Sequence, residues 1–428
     1  MAKSAAILGV HLDGAAGGAR VGALSRDQDG AIAFVVGEDY LRDPNRPILS
    51  LSWTVPGDDV RTRSRLADRT GKIGLNGYLP PWFAGLLPEG ALRQLVIQEM
   101  GPGDHDQFDL LARLGRDLPG AVITPLETEA AASFGPLRLA AAGDFKAIEP
   151  DGVVKFSLAG VQLKFTAGLS GDRLTAPAHA GDGRCIIKAP TDRYPGLPQA
   201  EHAAMTLARL AGVNAAETRL VDVDHIDGIP REFFEHGEHA LAVTRFDRTP
   251  EGGRIHMEDA GQIIGAVGER KYTMANTETI LNMIRRFSTD WRADVLEGVR
   301  RIVVDVLIGN GDNHLKNWSF IFPAPGEVRL SPAYDIVPTV LYAPRDDLAL
   351  QFAGTRRFAN VTLKRFRRVA EFLGLDPAWI EAEICDQVRR AARRWPDALN
   401  TLLPAPQAET LIRRLDSLAL VKEAQAGA

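Results

Sequence analysis

The chain has 428 residues, 45% of them apolar and 25% charged, with a formal net charge of −5. That length and composition allow two or three domains, or one two-lobed body with a substantial core, and the acidic balance excludes nucleic-acid binding by bulk charge alone. Two widely separated cysteines, Cys185 and Cys385, make neither a disulfide framework nor a zinc site, the N-terminus lacks a signal-peptide pattern, and no apolar run approaches the ~20 residues that span a bilayer; a soluble, cytoplasmic protein is expected.

In chain order, the first hundred or so residues are strand-rich. Ala31–Val36 and Ile48–Trp53 are short β-type runs flanked by turn residues. Gly90–Met100 reads as a helix, and Phe108–Gly115 as a second, short one ended by its glycine. Between Val153 and Leu169 lie two strand candidates around a glycine. Cys185–Lys188 is a strand, Pro198–Leu210 a helix closed by Gly212, and Leu241–Val243 a buried strand. From about Asn276 the chain turns helical, with apolar residues at helical spacing over Thr277–Phe287 and Ala293–Ile308. Two short strands follow, Ser319–Phe322 and Val328–Leu330. Helices return from Leu363, one of them opened by Asp376 and Pro377 as N-cap and first residue, and a small-residue tail closes the chain at Ala424–Ala428. The order predicts an α+β, two-lobed architecture, a strand-rich lobe beside a larger helical one.

Asp312, Asn317 and Asp335 carry the strongest chemical signal. Phosphoryl transfer from ATP needs a carboxylate near the attacking hydroxyl and oxygen ligands that hold Mg²⁺ on the phosphates. Protein kinases supply these with D-x-x-x-x-N and a second aspartate beyond a β-hairpin. Asp312 and Asn317 have that spacing after a long apolar helix, and Asp335 follows the two short strands. His314 within the loop reads as a structural hydrogen-bonder. Lys316 can touch a transferring phosphate as a point charge or stand as a solvated loop lysine.

On the nucleotide side, Lys188 ends an apolar strand, and Glu201, thirteen residues later on the next helix, is its natural partner. Ser157-Leu158-Ala159-Gly160-Val161-Gln162-Leu163-Lys164 precedes them, with small residues that let backbone N–H groups approach an anion. No G-x-x-x-x-G-K-[ST] or G-x-G-x-x-G is present, which disfavours P-loop and dinucleotide folds. Ala240–Arg248 runs from an apolar strand into a charged turn. In a two-lobed kinase such a strand becomes the hinge, with Phe246 either against adenine or a core aromatic.

These motifs together resemble the HipA family, serine/threonine kinases that act as toxins of bacterial toxin–antitoxin pairs. The resemblance also takes in Gly85-Leu86-Leu87-Pro88-Glu89-Gly90, the stretch from Phe108 to Val122, and Ala242–Arg248. It implies residues 1–150 as a strand-rich N-terminal subdomain, 151–248 as the nucleotide-binding part through the hinge, and 249–428 as the helical catalytic lobe. It implies Asp312 as catalytic base, Asn317 and Asp335 as Mg²⁺ ligands, and Lys188 on the ATP phosphates. Ser157, Ala159, Gly160 and Gln162 fall in the phosphate loop, and Thr244, Arg245 and Phe246 along the adenine pocket. Ser157 takes the place of the family's autophosphorylated serine, where phosphate would add about two negative charges and eject the loop. The implied partners are a helix-turn-helix (HipB-like) antitoxin, operator DNA through that antitoxin, and a protein substrate such as an aminoacyl-tRNA synthetase. Two positions depart from the family pattern: Leu163 and Thr244 stand where glutamate is common. The competing expectations are a small-molecule kinase using the same site, and a catalytically weak co-repressor acting with a DNA-binding partner.

Overall fold

The computed structural model describes residues 5–14, 17–127, 162–170, 173–175 and 183–426. The N-terminal sheet contains β1 (Ala6–Gly14), β2 (Gly17–Arg26), β3 (Ile32–Val36), β4 (Ile73–Gly74) and β5 (Val122–Ile123), in the order β4-β3-β2-β1-β5. All its pairings are antiparallel. Leu8, Val10 and Leu12 alternate inward along β1 and pack with Leu24, Phe34, Trp82 and Phe83. The β1–β2 hairpin escaped the sequence reading because glycines dilute its alternation. Gly22 is one the fold requires: a Cβ there would meet the Val35 carbonyl oxygen at 2.1 Å.

The run Ile48–Trp53, expected to be β-type, instead makes a 3-10 turn over Leu51–Trp53. Ser50 caps it by accepting from the Ser52 amide at 3.1 Å. The buried Glu258 carboxylate accepts from the Leu51 amide at 2.5 Å and from Ser50 Oγ at 2.8 Å. With its amides satisfied by side chains, the segment needs no ladder.

The second sheet holds β6 (Lys164–Ser170), β7 (Arg173–Thr175), β8 (Cys185–Lys188), β9 (Thr218–Asp222), β10 (Ile226–Asp227) and β11 (His239–Thr244), in the order β10-β7-β6-β8-β11-β9. Lys164 and Leu241 both lie opposite Lys188, one on each side of β8. Helix Leu197–Leu210 packs on this sheet and buries Glu201. A third sheet joins β12 (His256–Asp259) to the hairpin of β13 (Ser319–Phe322) and β14 (Arg329–Leu330).

The helical part is as the periodicity predicts. Helices Thr277–Phe287 and Trp291–Ile308 pack on each other, and Leu363–Leu373, Pro377–Leu402 and Ala405–Ser417 follow. Asp376 caps the longest by accepting from the Ala378 amide at 2.9 Å. Trp395 of that helix donates from Nε1 to the Leu207 carbonyl at 3.0 Å and so braces the two lobes. The expected small-residue tail is mostly helix Ala419–Ala426, whose Leu420, Val421 and Ala424 are buried. Among the described residues, no helix is long and apolar enough to cross a membrane.

Buried Asp294 fixes the hairpin to helix Trp291–Ile308. It accepts from Ser288 Oγ at 2.6 Å, the Leu330 amide at 2.8 Å and the Arg329 guanidinium at 2.9 and 3.1 Å. Replacing it strands a buried amide and a half-buried guanidinium. Asp294→Ala is therefore expected to lower stability by about 2–3 kcal/mol, measured as a fall in the urea midpoint at unchanged m-value.

Candidate active site

Helix Trp291–Ile308 stops at Gly309, whose φ of 79° is left-handed. A Cβ there would lie 2.5 Å from the Val340 side chain. The Gly309 and Asn310 amides both return to the Asp305 carbonyl at 2.9 Å. The buried Asp305 carboxylate accepts from Asn310 Nδ2 at 2.8 Å and from Asn313 Nδ2 at 2.5 Å. The turn after the helix is thus set by one acid at the helix end. Thr339 Oγ1 accepts from the Gly311 amide at 2.8 Å. A side chain at Gly311 would meet the Asp346 carboxylate at 1.8 Å, so the chain can pass only as glycine.

Asp312 is buried and held by several hydrogen bonds, among them the His314 amide donating to its carbonyl at 2.8 Å. Its Oδ1 accepts from Tyr272 OH at 2.7 Å, its carbonyl accepts from Asn317 Nδ2 at 2.9 Å, and its amide donates to Asn310 Oδ1 at 3.2 Å. His314, expected to be a hydrogen-bonder, is buried with neither ring nitrogen bonded among the described residues. Its ring instead meets Tyr272 edge-on at 5.1 Å. Burial, with Lys271 nearby, holds the imidazole at a pKa of about 3, so it is neutral.

Asp335 follows β14 with φ +58°, a left-handed conformation that aspartate tolerates better than most residues. Two contacts place it. Neighbouring Tyr334 donates from its hydroxyl to the Lys316 carbonyl at 2.7 Å. Ala333 pairs with the loop after helix Leu197–Leu210, its amide donating to the Asn214 carbonyl at 2.7 Å. Asp335 therefore reaches the second sheet. Lys188 donates to both Glu201 and Asp335, and Lys164 lies 3.4 Å from Asp335. Burial alone would lower the Lys188 pKa, but Asp335 and Glu201 outweigh it and hold the ammonium charged. Burial likewise opposes a charge on Asp335, and Lys164 and Lys188 outweigh it, leaving the carboxyl far below the usual range. Glu201 moves up, through burial and the neighbouring Asp335 charge.

Catalytic-loop and nucleotide-side residues predicted from the sequence thus converge. Asn317 donates from its Nδ2 to the Asp312 carbonyl, which leaves Oδ1 as the atom that could meet a cation. Asn317 and Asp335 are hard oxygen donors of the kind Mg²⁺ takes when phosphates and water complete its shell. Among the described residues, no group of three His, Cys, Asp or Glu could hold an ion by itself. Asn317 and Asp335 could serve a cation whose remaining shell came from phosphates and water.

The remaining predicted residues fall out differently. Gln162 is buried and donates to the Ala189 carbonyl at 2.8 Å, securing the end of the loop before β6. Leu163 packs against the apolar core of the second sheet. Ser157, Ala159 and Gly160 lie outside the described residues. Thr244 is exposed, with its amide bonded to the Glu217 carbonyl at 2.9 Å; the Arg245 amide bonds the Arg184 carbonyl at 2.9 Å. The Arg245 guanidinium pairs with Asp247 at 2.7 and 2.9 Å, and Asp247 accepts from the Gly120 amide at 2.8 Å. That group ties the hinge to the N-terminal domain. Phe246 packs against Tyr334, the residue before Asp335, with ring centroids 5.4 Å apart and planes tilted by 40°. Lys316 is engaged by Glu89 at 3.1 Å and the Gly85 carbonyl at 3.2 Å.

The sequence reading missed Asp305, Tyr272, Thr339 and Glu89. Asp305 had a signal, a lone acid in the apolar run Val303-Val304-Asp305-Val306-Leu307-Ile308. Glu89 lies in the Gly85–Gly90 motif that resembles the family, but nothing in the sequence joins it to the loop, and Tyr272 had no signal.

Residues 12–124 match the HipA N-terminal domain, and residues 156–395 match the HipA-like C-terminal domain. The chain belongs to the HipA family. It is 37% identical to Y4dM of Sinorhizobium fredii, provisionally named a kinase, over 95% of this chain and 96% of that one. It is 25% identical to the serine/threonine-protein kinase toxin HipA of Shewanella oneidensis, over 75% of this chain and 73% of that one. The fold matches HipA in the Shewanella oneidensis complex of HipA, HipB and operator DNA, with a TM-score of 0.73 at 20% identity, covering 98% of this chain and 99% of that one. The α+β, kinase-like architecture expected from the sequence is thereby established.

Burial raises the carboxyl of Asp305 to about 7 and that of Glu258 to about 7, and Asp259 reaches about 6. A carboxyl raised on folding contributes stability that is complete below its unfolded pKa and is lost as pH rises through its folded pKa. Buried His256, pulled down to about 4 by burial, acts in the opposite sense at lower pH. The difference between Asp305→Asn and the parent protein isolates the one group. Asp305→Asn should gain Tm relative to the parent as pH rises from about 5 to about 8, measured by scanning calorimetry at several pH values.

Proposed function

We propose that this chain is an ATP- and Mg²⁺-dependent serine/threonine protein kinase of the HipA toxin type. The observation that carries the reading is the position of Lys188, gripped by Glu201 from one lobe and by Asp335 from the other. In a kinase that lysine pairs with the phosphates and the glutamate holds it. The toxin name of the Shewanella oneidensis relative supports the protein-kinase class.

In this reading Asp312 accepts the proton of the substrate hydroxyl as its oxygen bonds to the γ-phosphorus. The bond from that phosphorus to the bridging oxygen breaks, and the electron pair leaves with ADP. Tyr272 aims the Asp312 carboxylate through its hydroxyl. Mg²⁺ on Asn317 and Asp335, when bound, neutralises phosphate charge. Ser157 is the proposed autophosphorylation site, and its modification would turn the enzyme off by repelling ATP. The proposed partners are a helix-turn-helix antitoxin, through which operator DNA is reached, and a cytoplasmic protein substrate of the aminoacyl-tRNA synthetase class. The Shewanella oneidensis complex, which holds HipB and operator DNA, supports the antitoxin partner.

Purified protein incubated with γ-labelled ATP is expected to incorporate phosphate into itself or an added protein. Asp312→Asn should reduce the rate roughly 100-fold or more, and Ser157→Ala should remove the self-incorporated label. Equal rates with Asp312→Asn would sink the assignment of the base, and ATP binding without transfer would leave a binding protein in place of an enzyme.

A further inference from the structure

Glu89 belongs to the N-terminal domain, at the start of helix Gly90–Glu99. Its Oε2 accepts from Lys271 Nζ at 2.7 Å and its Oε1 from Lys316 Nζ at 3.1 Å. Lys316 also donates to the Gly85 carbonyl at 3.2 Å. Each lysine immediately precedes a residue that holds Asp312. Lys271 precedes Tyr272, whose hydroxyl bonds the carboxylate, and Lys316 precedes Asn317, whose amide bonds the carbonyl. One carboxylate from another domain therefore grips both supports of the candidate base.

The charges make the grip necessary. The Lys271 side chain is 3% exposed and that of Lys316 is 20% exposed. Two ammoniums this close together repel each other, and burial denies them water. Glu89 is the acid between them. Burial works against its charge, but Lys316 and Lys271 outweigh it and bring it to about 2, so it stays ionised. With two of its three N–H donors committed to Glu89 and the Gly85 carbonyl, the Lys316 ammonium is held as an internal tie.

We propose that Glu89 is a positioning residue for phosphoryl transfer, and that Lys316 anchors the catalytic loop to the N-terminal domain instead of contacting a phosphate. The inference rests on the kinase reading above and extends it: the N-terminal domain completes the catalytic centre.

The test is a double-mutant cycle on the full chain with Glu89→Gln, Lys316→Met and the pair. Each single substitution should lower kcat roughly 10- to 100-fold, the cost of a slightly misplaced group. The Kd for Mg-ATP by calorimetry should stay within about twofold, because uniform binding is untouched. The pair should be no slower than the slower single variant. Additive losses in kcat, or a tenfold or greater weakening of Mg-ATP binding in Lys316→Met, would overturn the proposal and return Lys316 to the phosphates. If Glu89→Gln does not fold, Lys271→Met takes its place, with the same loss of kcat expected and a wild-type kcat overturning the idea. Hydrogen exchange supplies a readout independent of activity. Amides of residues 310–317 should exchange faster in Glu89→Gln, and unchanged protection defeats the inference. Absence of Asp312-dependent transfer in the parent protein would instead defeat the kinase reading while leaving the exchange result to be judged alone.

Discussion

A buried ammonium shared by two carboxylates organises this molecule. Lys188 ends a strand of the second sheet with Lys164 directly across from it. Two like charges facing each other on adjacent strands destabilise a sheet unless a counter-charge lies between them. Asp335, arriving from beyond the β13–β14 hairpin, supplies it, and Glu201 supplies the rest from the helix packed behind. The requirement to neutralise two lysines brings the end of the helical lobe against the strand-rich one. In the proposed kinase, the same placement would set a carboxylate where phosphates and a cation meet.

The catalytic loop follows a comparable logic with the opposite sign. Asp305 is a buried acid whose obligations are met by two asparagine amides, and the turn they form cannot open without stranding them. Gly309 and Gly311 pass where no side chain fits. The geometry around Asp312 is therefore fixed by groups that would be costly to bury singly. Polar networks of this kind hold a unique arrangement when every member is satisfied. His314 is the exception, a neutral ring within the loop that bonds nothing among the described residues.

The sequence was most readable where one interaction repeats along a period. Thr277–Phe287 has the very bounds that its apolar spacing predicts, and Cys185–Lys188 is a strand as its run of apolar residues indicates. Asp312, Asn317, Lys188, Glu201 and Asp335 stand out in the sequence because the proposed phosphoryl transfer would constrain their order along the chain. Ile48–Trp53 was misread because its fate depends on Glu258, some two hundred residues away, which takes the place of a strand partner. Arg245 reads as a hinge residue, yet its guanidinium serves the joint with the N-terminal domain. The places of Glu89 and Tyr272 against the loop could not be read, since only the tertiary fold puts them there.

Trp395 gives the fold a timetable. Its indole ties helix Pro377–Leu402 to the helix that carries Glu201, across 188 residues of chain. Domains made early on the ribosome can fold as they emerge, and among the described residues the strands of the N-terminal sheet all lie within Ala6–Ile123. The lobe bearing Lys188 is different, since its counter-charge at Asp335 and its brace at Trp395 are both translated much later. A nascent chain stalled before this long helix would hold Lys188, Glu201 and Asp335 but not the tryptophan that braces the helix carrying Glu201. The contact that joins the two lobes through Trp395 can form only when synthesis is nearly complete.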